Sequence, residues 1–137
     1  MKNSSRTQAR TEAFKIIFQI PANGDGIETG IAELEENAEL KNNIEYIKRV
    51  SMGVLEKNSQ LEELIQKHLG KGWTVSRLSR VSLAALKLAA YEMLYEQDIP
   101  EAVSINEAIE LTKAYDEPER APFVNGVLAG ISKSLKD

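Results

Sequence analysis

The stretch Arg80-Val-Ser-Leu-Ala-Ala-Leu-Lys-Leu-Ala-Ala-Tyr-Glu-Met-Leu94 decides the fold. From about Leu78 to Glu96 apolar residues fall on most sides of a helical wheel, including Val81, Leu83, Leu86, Leu88, Met93 and Leu94 with alanines between them. A helix that is apolar all round has to be enclosed by others. This one is expected at the centre of a bundle. Gly70-Lys-Gly72 stops the helix before it, and Asp98-Ile-Pro100 breaks it at the far end.

Outward from that centre the periodicity stays helical, and no segment alternates for long. On the C-terminal side, Ser104-Ile-Asn-Glu107 reads as a capping box opening a helix that fades near Tyr115. Asp116-Glu-Pro118 and Pro122 bracket a charged turn, and the last helix carries Phe123, Val124, Val127, Leu128, Ile131 and Leu135. On the N-terminal side, Ser59-Gln-Leu-Glu62 is a second capping box, followed by an apolar face of Leu61, Leu64, Ile65, His68 and Leu69. A helix over about Asn43–Glu56, a short one around Ile31–Asn37 and a first helix over Ser5–Gln19 complete the set; Pro21 and Asn23-Gly-Asp-Gly26 stop the first. The expectation is an all-α protein, a compact single-domain bundle of six or seven helices over residues 1–137.

Composition excludes several functions. There is no cysteine among the 137 residues, so disulfides and thiolate metal sites are ruled out. No apolar run is long enough to span a bilayer, and the N-terminus has no secretory h-region, which points to the cytoplasm. No catalytic constellation assembles. His68, the single histidine, falls on an apolar face and reads as a core or boundary imidazole. Gly24, Gly26 and Gly30 lack the strand a phosphate loop requires. Glu35–Glu36 and Glu62–Glu63 read as solvated faces, and Trp73 as a packing anchor. No enzyme activity, metal or cofactor is expected.

The net charge of −4 argues against indiscriminate nucleic-acid binding, but its distribution is uneven. Residues 1–20 carry a balance of +3, residues 21–69 carry −5 and the remainder −2. Arg6 and Arg10, four apart, share one face of the first helix, and Lys2 extends the row. Cations oppose the dipole at a helix N-terminus, whereas phosphate is welcome there. From these residues alone, a polyanion site and a solvated first turn both stay open.

Three blocks carry a family resemblance. They are the opening Ser5-Arg-Thr-Gln-Ala-Arg10, the central Arg80–Leu94, and Ile99-Pro-Glu-Ala-Val-Ser-Ile-Asn-Glu-Ala-Ile-Glu-Leu-Thr-Lys-Ala-Tyr115 followed by Phe123-Val-Asn-Gly-Val-Leu128. In order and spacing they resemble the bacterial NusB antitermination family over most of the chain, least over residues 21–45. The resemblance implies an all-helical RNA-binding factor without catalysis. Its partners would be single-stranded boxA-like RNA, the small-subunit ribosomal protein that serves as NusE, and the RNA polymerase antitermination complex, chiefly on rRNA operons. It further implies RNA contacts by Lys2, Arg6, Arg10, Phe18 and Phe123, and partner contacts by Ser82, Glu117, Glu119 and Arg120. Asn125 and Gly126 are expected to shape the last helix's start and permit close packing. Thr7 and Gln8 stand where relatives are often basic, so RNA affinity without the partner should be modest. Two other readings stay open: a helical interaction module or homodimer without RNA selectivity, and a fragment of an rRNA cytosine methyltransferase, whose N-terminal domain is similar.

Overall fold

The computed structural model describes residues 5–21 and 23–136. Lys2, one of the expected RNA contacts, lies outside them. Among the described residues there are seven α-helices: α1 (Ser5–Gln19), α2 (Ile27–Glu35), α3 (Ile44–Glu56), α4 (Asn58–Lys67), α5 (Arg80–Tyr95), α6 (Glu101–Tyr115) and α7 (Ala121–Leu135). Short 3-10 turns at Ala38–Asn43, Val75–Arg77 and Pro118–Arg120 join some of them. No strand is present among the described residues.

Helix α5 is central, touching α1, α3, α4, α6 and α7. Its Ala84, Ala85, Leu86, Leu88, Ala89 and Ala90 are all buried. The alanines let neighbouring helices approach closely, while the leucines fill the gaps between them. Two polar contacts fix the direction of α1. Arg10 reaches Glu92 near the C-terminal end of α5, and the Phe18 carbonyl accepts from Arg80 at its first residue (2.8 Å). Helices α1 and α5 are therefore antiparallel. By the same logic α6 runs against α5, because Ser104 meets Glu92 and Asp116 meets Ser79. Helix α7 runs back along α6, with Ser132 donating to Glu101.

Both expected capping boxes are absent, for different reasons. Only Lys57 separates α3 from α4, and its carbonyl accepts the Leu61 N–H (2.9 Å). Ser59 thus falls inside a helix that has already begun. In α6 the helix begins at Glu101, directly after Pro100, whose fixed φ suits a helix entry. Ser104 is then interior, and its hydroxyl donates to Glu92 (2.7 Å). The cap the structure uses is Ser79, whose Oγ accepts from the Ser82 N–H (3.0 Å). The short helix expected around 31–37 starts earlier, straight after Gly26 at φ +90°, a conformation that favours glycine.

Gly53 marks a close helix crossing. A Cβ there would overlap the phenol of Tyr91 on α5. Gly53→Ala is expected to lower stability by a net of up to about 2 kcal/mol. Overpacking costs about 1–3 kcal/mol, and alanine's helix propensity returns roughly 1 kcal/mol. A urea melt with a raised midpoint would refute the close approach.

Candidate nucleic-acid interface

The two arginines expected to share a surface row separate in the structure. Arg6 is half-buried at the rim, where its Nε donates to Asn43 Oδ1 (2.7 Å) and its guanidinium lies 4.2 Å from the centre of the Tyr46 ring. Arg10 is only 4% exposed and faces the core. Its Nε bonds Glu92 Oε2 at 2.8 Å and its Nη1 lies 3.1 Å from Glu107. This corrects the expectation that Arg10 presents its charge to RNA. The reason is Glu92, a carboxylate on α5 with no solvent exposure, which would be costly to bury without a cation.

Three donors converge on that carboxylate: Arg10 Nε and the Tyr46 hydroxyl at one oxygen, and the Ser104 hydroxyl at the other. Burial alone would lower the Arg10 pKa, but Glu92, Tyr46 and Glu107 together raise it, so the side chain stays charged. Burial first, and Glu92 next, push the Tyr46 phenol well above its usual range, keeping it a neutral donor. Tyr46 therefore links the core pair to Arg6, offering its ring to one arginine while its hydroxyl is held by the other's partner. Cation–ring contacts of this kind reduce the freedom of the guanidinium.

Phe18 and Phe123 lie at the opposite end of α5. The sixteen residues of that helix span about 24 Å, so one nucleotide cannot touch both Arg6 and Phe123. Phe18 is half-buried, with the Arg80 guanidinium 4.5 Å from its ring centre. Phe14, Phe18, Val81 and the exposed Tyr115 line a shallow apolar groove beside it. Phe123 is half-buried in the first turn of α7, its ring centre 6.3 Å from that of Trp73. Trp73 is 45% exposed, not the packing anchor its place after a helix stop suggested. His68 lies at a boundary, its Nδ1 3.1 Å from the Leu64 carbonyl, against Gly130 of α7. Asn125 and Gly126 are exposed, and a Cβ at Gly126 would meet nothing within 4 Å, so no packing among the described residues requires that glycine.

The acidic turn before α7 is organised around Asp116. Its Oδ2 accepts from Ser79 Oγ (2.6 Å) and Ser82 Oγ (3.0 Å), and its Oδ1 from the Glu117 N–H (2.8 Å). Ser82 is thus 2% exposed and cannot itself touch a partner, which corrects its expected role. It positions the turn. Glu117 and Glu119 are exposed; Arg120 folds back toward Asp116 (3.4 Å) and Glu117 (3.6 Å). Burial opposes ionisation of Asp116, but the Ser79, Glu117 and Ser82 hydrogen bonds and Arg120 outweigh it and hold the pKa below its usual value. A carboxylate depressed on folding stabilises fully above its unfolded pKa, near 4. That contribution disappears as pH falls through the lower folded value. Asp116→Asn should therefore melt earlier than the parent at pH 7, with the gap closing below about pH 4. A gap independent of pH would show the carboxylate charge to be irrelevant.

Among the described residues no three or more His, Cys, Asp or Glu side chains cluster to hold a metal ion. Fold and surface together are those of an all-helical protein that presents arginine–aromatic pairs at both ends of a buried central helix. A sequence profile of the NusB family matches residues 7–133, and the chain belongs to that family. It is 38% identical to transcription antitermination protein NusB of Clostridium botulinum (strain Kyoto / Type A2), over 90% of this chain and 96% of that protein. T. maritima NusB superposes with a TM-score of 0.85 at 36% identity, covering 97% of this chain and 93% of that one. A crystal structure of antitermination factors NusB and NusE in complex with dsRNA superposes at 0.81 with 26% identity, covering 95% of this chain and 97% of that chain.

Proposed function

We propose that this chain is a transcription antitermination factor that binds boxA-type RNA of nascent transcripts, chiefly rRNA, as a heterodimer with the ribosomal protein acting as NusE. It acts in the cytoplasm as one helical domain, by binding and without catalysis, within the RNA polymerase antitermination complex. Family membership over residues 7–133 carries this reading, and the related NusB–NusE structure with RNA supports the choice of partners. Relatives such as the clostridial protein are named as antitermination proteins, which favours this reading over a methyltransferase fragment. Among the described residues no helix is long and apolar enough to cross a membrane.

Arg6 and Phe123 make direct RNA contacts in this reading, with Lys2 extending the basic end, and Phe18 borders the RNA surface. Arg10 acts through Tyr46 and Arg6. Glu117 and Glu119 face the basic partner, where opposite charge favours encounter. The test is fluorescence anisotropy with a boxA-like strand and a scrambled control, with and without the partner. Selective binding that tightens with the partner is expected. Partner binding without RNA selectivity would leave an interaction module, and self-association alone a homodimer. Arg6→Ala should flatten the salt dependence of log K by about 0.7, the share of one phosphate contact on a single strand. An unchanged slope would remove Arg6 from the interface.

A further inference from the structure

The region between Glu63 and Glu92 contains no acidic residue, yet it holds Lys67, Lys71, Arg77, Arg80 and Lys87. In a chain of net charge −4, this is a basic segment of +5. It covers the loop from α4 to α5 and the first half of α5, at the end of the bundle where Phe123 lies. Lys87 is engaged by Glu62 (2.8 Å) and Asn58 (2.6 Å). Lys67, Lys71 and Arg77 are exposed and make no ion pair among the described residues.

Trp73 sits in the middle of this segment, held outward by a braced loop. The Gln66 side chain clamps both sides of it, donating to the Trp73 carbonyl (2.9 Å) and accepting from the Val75 N–H (3.0 Å). Arg77 donates to the Gly72 carbonyl (2.8 Å) and lays its guanidinium 4.7 Å from the Trp73 ring centre. The Trp73 N–H bonds the Gly70 carbonyl (3.0 Å). An indole exposed in water is unfavourable, and these hydrogen bonds limit the loop's freedom to fold it down.

We propose that Trp73, with Phe123 beside it and Arg77 and Lys71 around it, is a base-stacking subsite for single-stranded RNA. Rigid aromatic faces flanked by unpaired cations are what sequence-tolerant single-strand binding uses: the rings take bases and the cations take phosphates. A basic protein would be repelled by Lys67, Lys71 and Arg77, so a polyanion is the better occupant. The inference rests on the RNA-binding reading above and extends the Phe123 contact, at the opposite end of α5 from Arg6, onto the α4–α5 loop. An RNA strand using both ends would lie along the bundle's length.

Trp73 is the only tryptophan, so its emission reports directly on stacking. The full chain with its partner protein is titrated with a boxA-like single strand while anisotropy and tryptophan emission are recorded together. Saturable quenching with the same midpoint as the anisotropy change is expected. Trp73→Leu should weaken binding by about 5- to 100-fold, Trp73→Phe should restore most of it, and Arg77→Ala should flatten the salt slope by about 0.7. RNA binding with unchanged emission and unaffected Trp73→Leu affinity would overturn the subsite and leave the RNA-binding reading intact. Loss of partner binding alone in Trp73→Leu would also overturn it, assigning the patch to a protein contact. Failure to bind RNA under any condition would overturn both. Thermal melts by circular dichroism verify that each variant is folded.

Discussion

Glu92→Gln is expected to lower folding stability by about 3–5 kcal/mol, the usual cost of breaking a buried ion pair by removing one partner. For a chain of this size that corresponds to a fall in Tm of roughly 10–20 °C. Three donors meet at this carboxylate, and an amide offers only one acceptor oxygen. With that oxygen kept toward Arg10 and Tyr46, the NH2 turns to Ser104. Ser104 can rotate its hydroxyl to accept from that NH2, so the main loss is the negative charge opposite Arg10, which stays protonated in its buried site. Glu107 is 23% exposed and holds Arg10 at a single 3.1 Å contact, too weak a substitute for a buried partner. Arg10→Met should destabilise by a similar mechanism, leaving Glu92 charged and short of its cation. Urea denaturation of both variants checks this. A loss below about 1 kcal/mol in each would mean that water reaches the pair freely.

Phe123→Ala should reduce affinity for a boxA-like strand by about 5- to 150-fold, equivalent to the roughly 1–3 kcal/mol of one base–aromatic stack. The ring is half-buried against the core, so truncation also costs stability, and binding has to be measured well below the melting temperature. Phe123→Leu separates the two effects by keeping apolar volume while removing the flat face. If Phe123→Leu binds like the parent while Arg6→Ala does not, the stacking role is refuted and the phosphate contact survives. Arg6 is the informative comparison because Arg10 substitutions act through folding.

The buried network also changes how substitutions at this surface are read. A variant at Arg10, Tyr46 or Glu92 that loses RNA binding does not thereby identify an RNA contact, because Arg6 is stacked on Tyr46. Comparing affinity with salt slope distinguishes them. Loss of a phosphate contact lowers both, whereas a displaced but charged Arg6 lowers affinity with less change in slope.

Much of the fold can be read from local pattern. The all-round apolar character of Arg80–Leu94 places α5 at the centre, and Pro21, Gly26, Pro100 and the Asp116–Pro118 turn mark where helices stop or start. The C-terminal blocks identify the family because side chains at fixed spacing survive as text. The capping boxes misled because a Ser-x-x-Glu pattern states what a helix start could use, not where the chain begins to turn. The basic segment around Trp73 is present in the sequence, but acidic stretches on both sides mask it in the charge of the longer regions.

Periodicity alone determined that Arg6 and Arg10 share a face of α1, and composition that any basic surface would be confined. Only the tertiary structure decided that one arginine reaches the rim and the other the core. A spacing of four residues says which side chains point the same way, and nothing about what they will meet. Glu92 is 82 positions away from Arg10 in the chain, and only the antiparallel packing of α1 on α5 brings them together. Trp73 is the converse case: an apolar residue left at the surface, on a loop that hydrogen bonds from Gln66 and Arg77 hold in place and that no periodicity announces.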